Sequence, residues 1–360
     1  MVLGLTCALV LLGDAKSIQE DERVVFFPTC GRLIDDGETW EVEVHGWIYE
    51  PEEGSITRSA LLDLIGNAAG FDDADIDGSL FRRRAGLFVC DNERGKRIQV
   101  RVGEGQHPAG ESAANGHFRT VLRLARADVE RLVARQEGVR DRLLFGAVTR
   151  EGDARRFPGE VHLIPEKGIS VVSDVDDTIK LSDVRNRKAL LENTFLREFR
   201  DVPGMAERYS AWSRKGARFH YVSASPWQLY SDLSDFMRDE GFPPGSFHMK
   251  SVRLADATVL DLLDAPDELK RTYIEELMVQ YPRRRFILVG DSGEVDPEVY
   301  GEVGRKHPDQ VERIFIRDVT GEKRDAPRYA KAFEGLRPEI WVLFEDAAEL
   351  PEALKTSGGP

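Results

Sequence analysis

The first half of the chain shows the alternation of apolar and polar residues that is typical of half-buried β-strands. From Trp40 to Ile48, apolar residues or glycine occupy every second position, and they alternate with Glu41, Glu43 and His45. This run follows a polar turn at Asp35–Gly37, and a period of two after a turn predicts a β-hairpin. Further strands are predicted at Val24–Thr29, Gly86–Cys90, Arg97–Val102, Phe118–Leu124, Leu143–Val148 and Val161–Ile164. Residues 18–165 are therefore predicted to form a mainly antiparallel β-rich domain.

One helical pattern interrupts these strands. Leu61, Leu62, Ile65 and Ala69 recur at the spacing of one helix face. Because that face is apolar, we expect the helix to cover part of the β-sheet.

From residue 166 onward, short apolar runs alternate with stretches of helical periodicity. Strands are predicted at Ile169–Ser173, Arg218–Val222, Phe247–Ser251, Phe286–Val289, Arg313–Ile316 and, at an edge, Trp341–Phe344. Helices are predicted at Ala189–Phe199, Met205–Lys215, Leu229–Glu240, Leu269–Gln280 and Pro297–Lys306. This alternation calls for a Rossmann-like parallel sheet with helices on both faces, an α/β fold. The predicted domain spans 166–350, begins after a boundary at Pro165–Lys167, and is followed by a flexible tail at 351–360.

Composition narrows the functional classes. The chain has 360 residues, 41% of them hydrophobic and 32% charged, which is typical of a globular protein of about two domains. Its formal net charge of −14 argues against a general nucleic-acid binder, which needs a basic face, and against long-range attraction to an anionic membrane. The basic clusters Arg82–Arg84 and Arg283–Arg285 are short, and we interpret them as solvated surface.

The cysteines and the N-terminus bear on location. Cys7, Cys30 and Cys90 lack the spacing of a zinc site, and the sequence leaves open whether Cys30 and Cys90 pair. Residues 1–17 contain an apolar run of about a dozen residues, which fits a signal peptide and is too short to span a bilayer. No basic residue precedes this run, so two alternatives to a signal peptide remain: a buried N-terminal strand and a misassigned start of the chain. The protein is exported (periplasmic or extracellular) if the signal is real and cytoplasmic otherwise, and no other segment has the length to cross a membrane.

Three carboxylates directly follow the first predicted strand of the α/β half. Asp174, Asp176 and Asp177 would repel one another at the carboxyl end of Ile169–Ser173 unless a cation lay among them. That end of an open α/β sheet is where ligands bind, so the cluster predicts a site for Mg²⁺ and phosphate. The alternative is a turn or a helix cap.

Three later stretches place polar groups near predicted strand ends or helix starts. Ser223 follows the second parallel strand, where a hydroxyl can hold a phosphate oxygen, although a serine in this place is often only a cap. Lys270 opens a helix, and its alternative is a solvated lysine. Asp291 and Asp296 lie on a glycine-bearing turn after Phe286–Val289. Two acidic clusters so close together would be costly without a shared cation.

The order DxDxT, Ser, Lys, GDxxxxD resembles the four signature motifs of the haloacid-dehalogenase superfamily. In this chain the motif residues are Asp174, Asp176, Thr178, Ser223, Lys270, Asp291 and Asp296. More narrowly, SDVDDTIK, SASPWQLY and GDSGEVDPEVY resemble the catalytic domain of the actin-patch-protein phosphatidate phosphatases and their bacterial relatives. The resemblance extends from Gly168 to about Thr320.

The resemblance implies an Mg²⁺-dependent phosphatase acting on phosphatidate. Asp174 would attack phosphorus to form an aspartyl phosphate, and Asp176 would act as general acid and then general base. Mg²⁺ would be held by Asp174, the main-chain carbonyl of Asp176, and Asp291. The remaining motif residues would bind substrate oxygens (Ser223, Lys270 and Thr178) or orient Lys270 or a metal-bound water (Asp296).

Spacing also bears on the substrate. Roughly 45 residues separate Asp177 from Ser223, and a similar number separate Ser223 from Lys270, too few for a large lid. An open site suits a phospholipid at a membrane surface or a phosphoprotein better than a small metabolite. A phosphoprotein or soluble-ester phosphatase of the same mechanism, and a non-catalytic binding module, remain as alternatives.

Overall fold

The structure is a computed structural model that describes residues 16–51, 56–136, 138–251 and 267–354. Most of the predicted signal peptide, Cys7 and the end of the predicted tail lie outside the described residues. Within those ranges, no helix is both long enough and apolar enough to pass through a bilayer.

The first half forms a nine-stranded sheet in which almost all neighbouring strands are antiparallel. Its strands are β1 (Arg23–Phe27), β2 (Thr29–Ile34), β3 (Thr39–Glu50), β4 (Asp91–Asn92), β5 (Arg97–Val102), β6 (Gly105–Glu111), β7 (His117–Ala125), β8 (Arg142–Ala147) and β9 (Pro158–Leu163). The exception is β2, which pairs in parallel with β9. Strand β3 has buried Trp40, Val42 and Val44 at alternate positions, as its sequence pattern predicts. These side chains belong to the core of this sheet.

Four helices accompany the first sheet. They are α1 (Ile56–Ala69), α2 (Asp73–Asp77), α3 (Ser79–Gly86) and α4 (Arg126–Arg135). Helices α1 to α3 lie between β3 and β4 and together form the helical insertion.

The second half forms a six-stranded parallel sheet with helices between the strands. Its strands are β10 (Gly168–Ser173), β11 (Arg218–Pro226), β12 (Gly245–Lys250), β13 (Arg284–Asp291), β14 (Val311–Arg317) and β15 (Trp341–Phe344). Its helices are α5 (Arg187–Phe195), α6 (Met205–Arg214), α7 (Tyr230–Asp239), α8 (Asp267–Gln280), α9 (Asp296–Lys306) and α10 (Pro327–Ala332). The predicted α/β architecture with a parallel sheet is confirmed, with element ends shifted by a few residues.

Helices lie on both faces of this sheet because β10 is apolar on both faces. Val171 packs with Tyr209 of α6 and Leu233 of α7 in one core cluster. The next residue, Val172, belongs to the opposite cluster with residues of α8 and α9, Leu277 and Val303. Consecutive side chains of a strand point to opposite faces, so the near-continuous apolar run of β10 requires cover on both sides.

The strand order places a ligand crevice at the end of β10. The order is β12-β11-β10-β13-β14-β15, so the chain moves outward from β10 in one direction and then returns to its other side. In an open α/β sheet the crevice lies where this reversal occurs, at the carboxyl ends of the strands. Asp174 directly follows β10, and Asp291 ends β13, its neighbour across the reversal.

The two sheets share core contacts. Phe27 of β1 lies 4.1 Å, between ring centroids, from Trp227, which follows β11. The main-chain amide of Phe247 donates to the carbonyl of Pro28 over 3.0 Å. The change from the first sheet to the second falls between β9 and β10, and packing continues across it.

Two predictions for the first half are wrong. Gly86–Cys90 is not a strand: Gly86 ends α3, and the amides of Leu87 and Phe88 donate to carbonyls of that helix. Helix α1 does not cover the first sheet. Its buried Leu62 and Ile65 lie instead in a core cluster with apolar residues of α2 and α3, which also includes Phe195 of α5.

The interpretation of both arginine clusters as solvated surface is wrong at one residue of each, Arg84 and Arg284. Arg84 is 1% exposed and pairs with Asp232 of α7. Arg284 is also 1% exposed, and its guanidinium donates to the carbonyls of Pro165 and Lys167 over 2.7 and 2.8 Å. Each guanidinium is buried because oxygen atoms from the rest of the fold satisfy its donors.

Cys30 and Cys90 do not pair. Both thiols are free and buried, and they belong to different core clusters. Burial raises the pKa of each thiol to about 12, so neither is a thiolate near neutral pH.

Candidate active site

Asp174 lies at the carboxyl end of β10 and is 1% exposed. Its backbone amide donates to the carbonyl of Val289 over 2.9 Å, which continues the pairing of β10 with β13. One carboxylate oxygen, Oδ2, accepts a hydrogen bond from Thr178 over 3.1 Å. The other, Oδ1, lies 3.0 Å from the ammonium of Lys270. The carboxylate is thus held at both oxygens.

Lys270 reaches the site from the first turns of α8. Its ammonium is buried and contacts three carboxylates, those of Asp174, Glu294 at 3.3 Å, and Asp296. Burial by itself lowers the pKa of this lysine. The surrounding carboxylates outweigh burial and hold its pKa well above the usual value, so it carries a full positive charge.

Asp291 ends β13 and has one carboxylate oxygen without a partner. Its Oδ1 accepts from the amides of Gly293 and Glu294 over 2.6 and 3.2 Å. Its Oδ2 is buried and accepts no hydrogen bond from any of the residues that the structure describes. A buried carboxylate oxygen without a donor is unfavourable, and a cation is one group that would satisfy it.

Asp296 closes the same turn from the first residue of α9. Its Oδ2 accepts from the amide of Asp291 over 3.0 Å, and its Oδ1 accepts from Lys270. Gly290 permits this approach, because a Cβ there would lie 2.1 Å from Oδ2 of Asp296. The turn therefore depends on a glycine at this position.

These residues fit a metal ion. One oxygen each from Asp174, Asp291 and Asp296 lies within 4.8 Å of the others, and all three side chains are buried. Carboxylate oxygens are the ligands that hard dications such as Mg²⁺ prefer. Of the three side chains, Asp291 is the one with an oxygen that accepts no hydrogen bond from the described residues.

The pKa values of the acidic side chains also favour a bound cation. Burial, followed by repulsion from neighbouring carboxylates, raises the pKa of Asp174 and of Asp291 well above the usual range. The same causes raise the pKa of Glu294 to about 7. Four acidic side chains facing one lysine leave an excess of negative charge, which a dication would offset.

Asp176 belongs to a second, adjoining cluster. Its Oδ1 lies 2.7 Å from the ammonium of Lys180 and accepts from Ser182 over 2.6 Å. Its Oδ2 accepts from Ser225 over 3.0 Å and from Ser223 over 3.3 Å. Burial alone would raise the pKa of Asp176, but Lys180 and the hydroxyl donors lower it.

Ser223, which the sequence predicts to bind a phosphate oxygen, lies beside Asp176. Its hydroxyl donates to Asp176 and accepts from the amide of Ser225 over 2.9 Å. The hydroxyl therefore lies beside the site of expected proton transfer, and in this arrangement its hydrogen bond is directed to the carboxylate.

Asp177 shapes the loop that follows β10. It has a positive φ of 52°, and its carboxylate accepts from the amides of Ser182, Asp183 and Val184 over 2.7 to 2.9 Å. This is the capping role that an Asx turn provides. The structure thus separates Asp177 from the groups that could touch a phosphate.

Three contributors were not identified as site residues from the sequence. Glu294 and Lys180 lie within the motif stretches GDSGEVD and DVDDTIK, which is the only sequence signal for them. Arg328 of α10 donates to the carbonyls of Ser292 and Glu294 and so holds the turn that carries Asp291. No local pattern indicates Arg328, because its partners lie more than 30 residues away in sequence.

Comparisons with known proteins agree with the resemblance over the α/β half. Residues 169–318 match the family described as phosphatidate phosphatase APP1, catalytic domain. Phosphatidate phosphatase APP1 of Saccharomyces cerevisiae is 30% identical over 166 residues, which are 45% of this chain and 28% of that protein. An uncharacterized protein of Schizosaccharomyces pombe is 28% identical over 182 residues, 49% of this chain and 29% of that protein. The predicted resemblance is confirmed for this segment, and the chain spans less than a third of the length of each of these relatives.

One solved structure aligns weakly. A crystal structure from Thermotoga maritima, described as that of a beta-phosphoglucomutase, has 13% sequence identity and a TM-score of 0.29 over 51% of this chain and 96% of that chain. At this score the similarity supports no conclusion about fold or activity.

Proposed function

We propose that this protein is an Mg²⁺-dependent phosphatase that hydrolyses a phosphomonoester through an aspartyl phosphate, with phosphatidate as substrate and diacylglycerol as product. Within this proposal the α/β half is a catalytic domain of the haloacid-dehalogenase superfamily. The match of residues 169–318 to a phosphatidate phosphatase catalytic domain supports the assignment.

One observation carries the mechanism. Asp291 has an unpartnered oxygen and forms one group of carboxylates with Asp174 and Asp296, and Asp174 lies 3.0 Å from the ammonium of Lys270. Mg²⁺ held by Asp291, Asp174 and the main-chain carbonyl of Asp176 would offset the negative charge between the nucleophile and the phosphate. Lys270 is placed to bind a phosphate oxygen, and its contact with Asp296 holds it in position.

The reaction has two displacements at phosphorus. A carboxylate oxygen of Asp174 forms a bond to phosphorus while the bond from phosphorus to the ester oxygen breaks, and Asp176 gives its proton to that oxygen. Asp176, now ionised, takes a proton from water as the water oxygen bonds to phosphorus. The bond between Asp174 and phosphorus then breaks, which releases inorganic phosphate and restores both aspartates.

Sheet topology supports the superfamily assignment. Numbered in order of appearance, the six parallel strands lie in the order 3-2-1-4-5-6, and the proposed nucleophile follows strand 1 at the point of reversal. Between Asp177 and Ser223 the chain forms α5, α6 and the start of β11, which leaves no room there for a separate cap domain. Part of the second interval, residues 252–266, lies outside the described residues.

The experiment is a substrate panel. Purified full-length protein with Mg²⁺ is given phosphatidate in mixed micelles, a phosphopeptide and 4-nitrophenyl phosphate, and phosphate release is measured with and without excess EDTA. We expect the highest kcat/KM on phosphatidate and loss of activity in EDTA. Activity confined to the phosphopeptide or the soluble ester would refute the lipid substrate. If no member of the panel released phosphate, the proposed phosphatase activity would be wrong and a binding module would be favoured. Full activity in EDTA would show that the reaction needs no metal ion.

A further inference from the structure

The ammonium of Lys180 is enclosed next to Asp176. Lys180 is 3% exposed, its Nζ lies 2.7 Å from Oδ1 of Asp176, and it donates to the hydroxyl of Ser182. A buried ammonium is unfavourable unless charged or polar partners surround it. Here the partner is the carboxylate that is proposed to move the proton.

The carboxylate of Asp176 is fixed at both of its oxygens. Lys180 and Ser182 contact Oδ1, and Ser223 and Ser225 donate to Oδ2. Because the serines lie in the last residues of β11 and the lysine lies on the loop after β10, the two contact pairs hold the plane of the carboxylate from different elements. Of these partners, only Lys180 carries a charge.

Lys180 is in turn held by an aromatic ring that also contacts the first half of the chain. The ammonium lies 4.8 Å from the ring centroid of Phe199, and the guanidinium carbon of Arg84 lies 3.8 Å from the same centroid. Arg84 belongs to the helical insertion and donates to the carbonyls of Thr194 and Arg197 over 2.7 Å each. A continuous set of contacts therefore runs from the helical insertion through Phe199 and Lys180 to Asp176.

We propose that Lys180 is a positioning residue that orients the carboxylate of Asp176 for proton transfer to the leaving oxygen, and that the Arg84–Phe199 contact holds Lys180 in place. This inference rests on the proposed phosphatase function. It also gives the helical insertion a part in the reaction, since Arg84 supports the group that supports the proton donor.

Two substrates with different leaving groups distinguish a positioning role of Lys180 from a merely structural one. An alkoxide leaves well only when it is protonated, whereas 4-nitrophenolate is stable without a proton. The parameter kcat/KM reports steps up to the first irreversible one, here the transfer of the phosphoryl group to Asp174. Misplacement of Asp176 therefore lowers kcat/KM for an alkyl ester and leaves that for the aryl ester nearly unchanged.

The test uses the full chain with Mg²⁺ and two soluble probes, dioctanoyl phosphatidate below its micellar concentration and 4-nitrophenyl phosphate. For Lys180→Gln we expect kcat/KM on the alkyl ester to fall at least about 10-fold more than on the aryl ester, a part of the roughly 10²- to 10⁴-fold that a general acid contributes. Phe199→Leu keeps an apolar side chain and removes the ring face, and we expect the same ratio to fall about 2- to 5-fold, as for loss of one cation–π contact.

Lys96→Gln is the matched control. Lys96 is also a buried lysine in contact with a carboxylate, that of Glu22, but it lies in the first sheet. We expect this variant to lose thermal stability and to keep the wild-type ratio of the two activities.

The outcomes separate the two proposals. Equal losses on both esters, or no loss on either, in a folded Lys180→Gln variant would overturn the inference while leaving the phosphatase intact. If Lys180→Gln does not fold, Phe199→Leu decides by the same ratio, and an unchanged ratio overturns the inference. A wild-type protein that hydrolyses neither ester would overturn the proposed function together with the inference.

Discussion

At the scale of single residues, the proposed chemistry follows from how Asp174 is held. Thr178 and Lys270 contact its two oxygens, so the carboxylate has one orientation at the end of β10. Asp291 contributes the unpartnered oxygen beside it. A fixed nucleophile next to a cation site is the arrangement that phosphoryl transfer requires, because most of the catalysis is positioning and charge stabilisation.

The first prediction concerns Asp174→Asn. An amide nearly matches the carboxylate in shape but is a far poorer nucleophile, so we expect the rate of phosphate release to fall by at least about 10³-fold without loss of the fold. Asp183→Asn is a matched control, because Asp183 is exposed on the same loop at a φ of 58°, which Asn also tolerates. Residual activity above about a tenth of wild type in the Asp174 variant would contradict the covalent route.

The same substitution predicts a change in stability that depends on pH. In the metal-free protein, burial and neighbouring carboxylates raise the folded-state pKa of Asp174, so its protonated form is favoured by folding. Its contribution to stability is complete below the unfolded pKa of about 4 and is lost as the pH rises toward the folded pKa. The asparagine amide does not ionise, so the variant does not lose stability in this way as the pH rises. We therefore expect Asp174→Asn in EDTA to be more stable than wild type at pH 8, and the gain to shrink toward pH 4.

Thermal unfolding in EDTA between pH 4 and pH 8 measures this difference. With excess Mg²⁺ the gain is expected to disappear, because the cation offsets the repulsion that the substitution relieves. A gain that did not vary with pH would show that the carboxylate charge is not its cause.

At the scale of elements, one buried arginine and a cluster of apolar side chains attach the helical insertion to the α/β half. Arg84 of α3 pairs with Asp232 of α7 and donates to two carbonyls near the end of α5. Its neighbour Arg82 pairs with Asp77, whose side chain is 76% exposed. The two arginines have the same charge and nearly the same sequence position but lie in different surroundings.

The different surroundings of Arg84 and Arg82 predict that their substitution will change stability by different amounts. Arg84→Met should lower the free energy of unfolding by about 3–5 kcal/mol, because it leaves Asp232 with less compensation and two buried carbonyls without donors. Arg82→Ala should cost about 0–1 kcal/mol, as for an exposed ion pair. Urea unfolding of both variants checks the difference, and similar losses in the two would show that α3 is not anchored through Arg84.

At the scale of the whole molecule, the first sheet has a core of its own and also contributes residues to the two core clusters of the second half. Phe27 and Trp47 of the first half lie in one cluster with residues of β10, α6 and α7, and Cys30 lies in the cluster on the other face. A shared core means that the α/β half by itself would expose apolar side chains such as Trp227.

The fourth prediction is that a chain beginning at Pro165 will aggregate or unfold at a clearly lower temperature than the full chain. The physical reason is the loss of the apolar contacts and of the Arg84 interactions from the first half. Solubility and the thermal midpoint of the two proteins measure the effect. A shortened chain with an unchanged midpoint and full activity on 4-nitrophenyl phosphate would show instead that the catalytic half is stable alone.

The sequence by itself determined the elements and the motif order. The period of two in β3 and the doubly apolar run of β10 are local patterns, and local patterns predict strands because side-chain direction repeats along the backbone. The positions of Asp174, Asp291 and Lys270 near strand ends or a helix start also followed from sequence. Parallel strands carry their carboxyl ends to one edge, and the structure brings these three residues together there.

Only the tertiary structure decided which polar groups contact one another. Arg84 and Asp232 are 148 positions apart, and Ser223 and Asp176 are 47 apart, so no local pattern could pair them. The structure buries two arginines that the sequence suggested were solvated, and it packs α1 in a cluster with α2, α3 and α5 instead of on the first sheet. A charge is buried only where the rest of the fold supplies its partners, and those partners are known once distant segments have come together.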